Sequence, residues 1–180
     1  AKVLAKVLDT PLIRLQCYEG LDASSTLYEW NYVRQILQIR LAEADASRRE
    51  GLEDSIFGEA FLFDRPLLQA IRHSGPRPAV LLIDEIDRAD EEFEAFLLEV
   101  LSDFQVTIPE IGTVEAIRIP IVVLTSNNAR EMSDALKRRC MHLYIDFPNE
   151  DLELEIVHLK VPEVGEELSK QLEQIVQAIR

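Results

Sequence analysis

The residues best suited to chemistry are Asp84 and Glu85, two successive carboxylates that close the apolar run Ala79-Val80-Leu81-Leu82-Ile83. In α/β sheets, ligands gather beyond the carboxyl ends of the strands. Two acids at such an edge can divide the work of phosphoryl transfer. The first holds the Mg²⁺ that bridges nucleotide phosphates, and the second polarises the attacking water. Taken alone, the same pair is equally well read as two solvated acids in a loop. A second cluster, Thr125-Ser126-Asn127, closes the apolar run Ile121-Val122-Val123-Leu124. An amide there can hydrogen-bond the attacking water or a γ-phosphate, or simply cap a turn. The third is Ala135-Leu136-Lys137-Arg138-Arg139, a basic cluster in an acidic chain. It reads as a solvated helix C-terminus, where cations are favoured, or as a guanidinium offered to a neighbouring subunit's nucleotide.

These groups need elements to carry them. The five apolar residues from Ala79 to Ile83 lack polar alternation, which suits a strand covered on both faces, as in a parallel sheet. Ile121–Leu124 repeats the pattern, and Met141–Ile145 is expected to form a third such strand. Leu12–Leu15 predicts a short buried strand, and Ala1–Leu8, with apolar residues at 3, 4, 7 and 8, an amphipathic helix. Phe93, Phe96, Leu97, Val100, Leu101 and Phe104 follow helical spacing. Val106 and Ile108, then Val114, Ile117 and Ile119, alternate with period two around Gly112 and predict a β-hairpin within Gln105–Pro120. Trp30, Val33, Leu37 and Leu41 predict the inward face of a helix over 27–44, with Trp30 in the core. Cys17–Ser25 and Asp45–Asp54 read as loops, Phe57–Ile71 as helical, and Asn128–Arg138 as a short helix. Ser74–Pro78 and Phe147–Asn149 read as boundaries. Leu168, Leu172, Ile175, Val176 and Ile179 predict a final helix. Glu91, Glu92 and Glu94 read as a solvated helix face. Strands alternating with helices give an α/β domain with a largely parallel sheet.

Composition removes other classes. With 33 acidic and 19 basic residues, the net charge is −14. A surface that negative repels phosphate backbones, so nucleic acid is not expected as a partner, and a helicase reading fits poorly. No run reaches the ~18 apolar residues of a membrane span. Two cysteines, Cys17 and Cys140, make no disulfide framework and suggest a cytoplasmic location. His73, His142 and His158 share no ligand spacing with them, so no structural metal site is expected.

Acidic strand end, polar strand end and arginine cluster stand in an order and spacing that resemble the AAA+ ATPases. Asp84-Glu85-Ile86-Asp87-Arg88-Ala89 is similar to the Walker B segment of the MoxR family within that group. Leu15-Gln16-Cys17-Tyr18-Glu19-Gly20-Leu21-Asp22 and Tyr28-Glu29-Trp30-Asn31-Tyr32 look like its CoxD-type subgroup. The resemblance implies a three-layer P-loop NTPase-type core over residues 1–148, with a pre-sensor-1 hairpin and the start of a helical lid over 149–180. It implies ATP and Mg²⁺ as cofactors. Asp84 becomes the metal acid, Glu85 the catalytic base and Asn127 sensor 1, while Arg139, or less favourably Arg138, becomes the arginine finger. A finger acting in trans implies a homo-oligomeric ring, a hexamer. The resemblance further implies a chaperone role in maturing metalloenzymes of the molybdenum hydroxylase type, with a von Willebrand factor A-domain partner.

One departure bears on activity. The six glycines include none that precedes a lysine, so no Gly-x-x-x-x-Gly-Lys-Ser/Thr loop is present. A sensor 2 arginine is likewise missing. The uncapped opening helix reads as entered part-way along, so the sequence is expected to be a fragment, inactive by itself, of a protein that hydrolyses ATP. The alternative is a non-catalytic scaffold that kept the shape and lost the nucleotide.

Overall fold

The computed structural model describes residues 1–44 and 56–162. Three parallel strands, β1 (Leu12–Gln16), β4 (Val80–Asp84) and β7 (Ile121–Leu124), pair in the order β1-β4-β7. Register sets Gln16 beside Asp84 and Ile83 beside Leu124, so one edge of the sheet carries every strand's C-terminus. Four successive residues of β4 are buried, from 0% exposure at Val80 to 8% at Leu82. Side chains alternate between faces, so this run requires cover on both, as its unbroken apolar character predicts. On one face Leu81 and Ile83 share a core with Leu67, Leu68 and Ile71 of α4 (Pro66–Ile71) and with Phe93, Leu97 and Val100 of α5 (Glu91–Asp103). Each such side chain contributes about 1.5–3 kcal/mol on burial.

Helix α5 starts at Asp90, whose Oδ1 accepts the Phe93 N–H at 2.8 Å. It stops at Phe104, which takes a left-handed conformation at φ 50° rather than extending the apolar stripe. The chain then enters the expected hairpin of β5 (Gln105–Ile108) and β6 (Gly112–Glu115). Gly112 turns it at φ 101°, a conformation that suits glycine. The period-two pattern overshoots: Ile117 and Ile119 lie past β6 and are exposed.

Elsewhere the structure corrects the sequence reading. In place of one helix over 27–44 stand α2 (Ala23–Leu27), β2 (Tyr28–Trp30) and α3 (Tyr32–Ala44). Asp22 caps α2 through the Ser25 N–H at 3.0 Å, inside the expected loop. Asn31 restarts the helix by accepting the Arg34 N–H at 3.0 Å. Between them the aromatic residues favour a strand, which pairs antiparallel with β3 (Leu62–Asp64). Val33, Leu37 and Leu41 face outward, and α3 instead buries Gln35 and Ala42. Trp30 is half-buried, edge-on to Tyr28 and Phe57. The helical reading of 57–71 yields to a 3₁₀ turn at Glu59–Phe61, then β3, then α4 with Pro66 in its first turn. The helix expected from Asn128 is only α6 (Asp134–Arg139). Met141–Ile145 forms no strand; Met141, Leu143, Tyr144 and Ile145 are exposed, and among the described residues no strand pairs with them to take their backbone groups.

Residues Ala1–Cys140 and Met141–Arg180 form two compact units. The second holds α7 (Glu150–Lys160), capped by Asn149 through the Leu152 N–H at 3.0 Å. The loop at 45–54 and the helix expected from Leu168 lie outside the described residues. Among those described, no helix is long and apolar enough to cross a membrane.

Candidate active site

The sheet edge brings Asp84, Glu85 and Asn127 together, with Thr125 locking them. The Thr125 hydroxyl donates to Asp84 Oδ1 and accepts the Glu85 N–H at 3.0 Å. Its carbonyl accepts the Ile86 N–H at 2.9 Å. That clasp holds Glu85 at φ 55°, ψ 51°, a left-handed conformation costing a non-glycine residue about 1–3 kcal/mol. The bend turns the carboxylate off the strand axis towards β7, where Asn127 Nδ2 donates to Glu85 Oε1 at 3.4 Å. The other oxygen pairs with Arg88 Nε at 3.0 Å.

Asp84 Oδ2 accepts from Arg14 Nε at 3.0 Å and Nη2 at 2.6 Å. The Thr125 hydrogen bond, then that of Arg14 with its charge and the more distant charge of Lys2, hold the Asp84 carboxyl below its ordinary 3.8 against an opposing push from burial. Asp84 is therefore ionised at neutral pH and presents hard oxygens. Arg14 is more than half exposed, and such a pair is worth only about 0–1 kcal/mol, so a cation could displace it. Among the described residues no three His, Cys, Asp or Glu side chains converge as a metal cage. The set fits Mg²⁺, which typically takes one or two carboxylates and completes its shell with phosphate oxygens and water.

Arg138 and Arg139 are not brought to this edge. They occupy the last turn of α6, exposed, and no hydrogen bond or ion pair holds either among the described residues. Lys137, beside them, pairs with Glu131 at 2.6 Å.

Four structural partners had no assigned part in the sequence reading: Thr125, Arg14, Asp87 and Arg130. Glu94 is a correction. Far from a solvated face, it is 1% exposed and paired with Arg130. Its position one residue from Phe93 and three from Leu97, on the buried stripe, was the available signal.

Cys17, buried beside this edge, donates its N–H to the Asp84 carbonyl at 2.9 Å. Burial foremost, then the charges of Asp84, Asp87 and Glu85, push its thiol from 9.0 up to about 12. The folded protein thus holds the Cys17 proton more tightly than the unfolded chain. This contribution to stability is complete below pH 9 and is lost as pH rises from 9 towards 12. Iodoacetamide at pH 8 is expected to leave Cys17 unmodified until denaturant is added; peptide mapping would show any labelling in the native state.

A family model described as the AAA domain, dynein-related subfamily, matches residues 1–140. A crystal structure of a Cytophaga hutchinsonii protein described as a candidate ATPase aligns with a TM-score of 0.58 at 18% identity. The alignment covers 91% of this chain and 42% of that one, so the chain spans less than half of its neighbour's length. No curated protein gives a significant match. The likeness to the solved structure is one of fold, an α/β core with a parallel sheet, and the family match makes that core one of the AAA+ P-loop type.

Proposed function

From the premise that the chain belongs to the dynein-related subfamily of AAA domains, we propose that the natural full-length protein binds and hydrolyses ATP at the edge formed by Asp84, Glu85 and Asn127. The observation that carries this reading is the Glu85 carboxylate, bent off its strand by a left-handed residue and met by the Asn127 amide. Glu85 takes a proton from the attacking water as its oxygen bonds to the γ-phosphorus; the bond to the leaving ADP oxygen breaks and phosphate departs. Asn127 orients the base and the water. Asp84 would hold Mg²⁺ with the phosphates, and the ion would supply charge neutralisation at the phosphoryl oxygens.

The exposed guanidiniums on α6, which no ion pair holds among the described residues, support a finger acting in trans, Arg139 first and Arg138 second, and with it a homo-oligomeric ring such as a hexamer. Finer assignment rests on the segments Asp84–Ala89, Leu15–Asp22 and Tyr28–Tyr32. They favour a MoxR-type, CoxD-like chaperone for a metalloenzyme client of the molybdenum hydroxylase type, working with a von Willebrand factor A-domain partner. Residues 149–180 would begin its helical lid. The absence of a Gly-x-x-x-x-Gly-Lys-Ser/Thr loop from these 180 residues favours one competing reading, a scaffold that binds no nucleotide.

ATP turnover of the full-length protein, measured against its concentration, separates the two. The specific rate is expected to rise with concentration. Arg139→Ala should lower it at least about 100-fold, a conservative share of what a finger supplies, and Arg138→Ala far less. Background turnover together with no ATP binding would leave the scaffold.

A further inference from the structure

Asp87 is 4% exposed, and no cationic side chain pairs with it among the described residues. A buried carboxylate is costly unless its oxygens are satisfied. Here two backbone amides do so: Asn127 N–H donates to Oδ1 at 3.3 Å and Ala129 N–H to Oδ2 at 2.7 Å. Both amides belong to the segment that leaves β7, forty and forty-two residues further along the chain. A second buried carboxylate holds the far end of that segment. Glu94 accepts from Arg130 Nη2, which also donates to the Ala89 carbonyl at 2.7 Å. Its other oxygen accepts the Ser133 N–H at 3.0 Å, and the Ser133 hydroxyl caps α6 through the Leu136 N–H at 3.3 Å. The chain between the sensor amide and the arginine-bearing helix is thus pinned at 127, 129, 130 and 133, from both ends of the Asp87–Glu94 stretch.

We propose that Asp87 and Glu94 are positioning residues: Asp87 sets the Asn127 side chain against Glu85, and Glu94 sets the helix that presents Arg138 and Arg139. The inference rests on the ATPase reading for its consequence and on geometry alone for the pinning. Asp87 touches no reacting atom in this scheme. It acts through the two amides it holds, because an acid two residues beyond Glu85 reaches across to the neighbouring strand's exit. An isosteric amide at 87 can accept one of those N–H groups, but its own NH₂ must face the other.

The test is amide hydrogen exchange and steady-state kinetics on the full-length protein bearing Asp87→Asn or Glu94→Gln. In Asp87→Asn, exchange at one of the Asn127 and Ala129 amides, the one that faces the new NH₂, should rise at least about tenfold, the equivalent of one lost bond to a charged acceptor. The Ser133 amide and those of β4 should stay within about twofold. Glu94→Gln should reverse that pattern, freeing Ser133. Asp87→Asn should also lower kcat about tenfold or more with KM for ATP held within about threefold, because a displaced Asn127 disturbs the reacting geometry and not nucleotide binding. Unchanged exchange at 127 and 129 would overturn the proposal. So would faster exchange across the whole sheet, which would make Asp87 a folding residue only, or freed amides with kcat intact. If the wild-type protein hydrolyses no ATP, the ATPase reading fails while the exchange pattern still decides the pinning.

Discussion

Glu85→Gln is expected to lower ATP hydrolysis by the full-length protein at least about 100-fold while leaving nucleotide binding nearly unchanged. A positioned general base contributes typically 10²–10⁴-fold, and a glutamine amide cannot accept the proton from the attacking water. Shape is preserved. The substituted side chain's carbonyl can still accept from Asn127 Nδ2, and the bent backbone is held from outside by the Thr125 hydroxyl and carbonyl. Asp84 keeps its charge and its place, so the phosphates and their ion lose nothing they contact. Single-turnover hydrolysis alongside a nucleotide titration would read both halves. A rate within about threefold of wild type would remove Glu85 from the reaction, because a base that can be neutralised without cost is not a base.

Glu94→Ala is expected to destabilise the first unit by about 3 kcal/mol, the low end for breaking a buried ion pair, since Arg130 keeps some access to water. Three losses coincide. Arg130 is left without its carboxylate, the Ser133 N–H loses its acceptor, and a void the size of a methylene and a carboxylate opens at a position 1% exposed. For a unit of this size the melting temperature should fall by roughly 10 °C. Chemical denaturation monitored by circular dichroism would measure it. A loss under about 0.5 kcal/mol would mean that Glu94 is solvated after all, as exposed acids in a first helical turn ordinarily are.

How much of this was legible from residues alone follows from what each signal encodes. Ala79–Ile83 announced β4 because only a strand covered on both faces tolerates an unbroken apolar run, whatever covers it. The same local logic gave β7, the α5 stripe and the hairpin, and it fixed Asp84, Glu85 and Asn127 at one edge, since strands that run parallel end together. Spacing also marked α3 as amphipathic, but it could not choose the face. Val33, Leu37 and Leu41 turned outward, and the inward face instead carries Gln35, whose amide donates to the Ile56 carbonyl at 2.8 Å, twenty-one residues away. Met141–Ile145 had a strand's composition yet formed none, because a strand is defined by the neighbour that takes its hydrogen bonds. Glu94 carries the lesson for the site. The sequence determined that an acid stands in the first turn of α5, where the helix dipole favours it whether wet or dry. Only the tertiary structure placed Arg130 and the Ser133 amide against it, and it is that distant pairing which makes burying the charge tolerable.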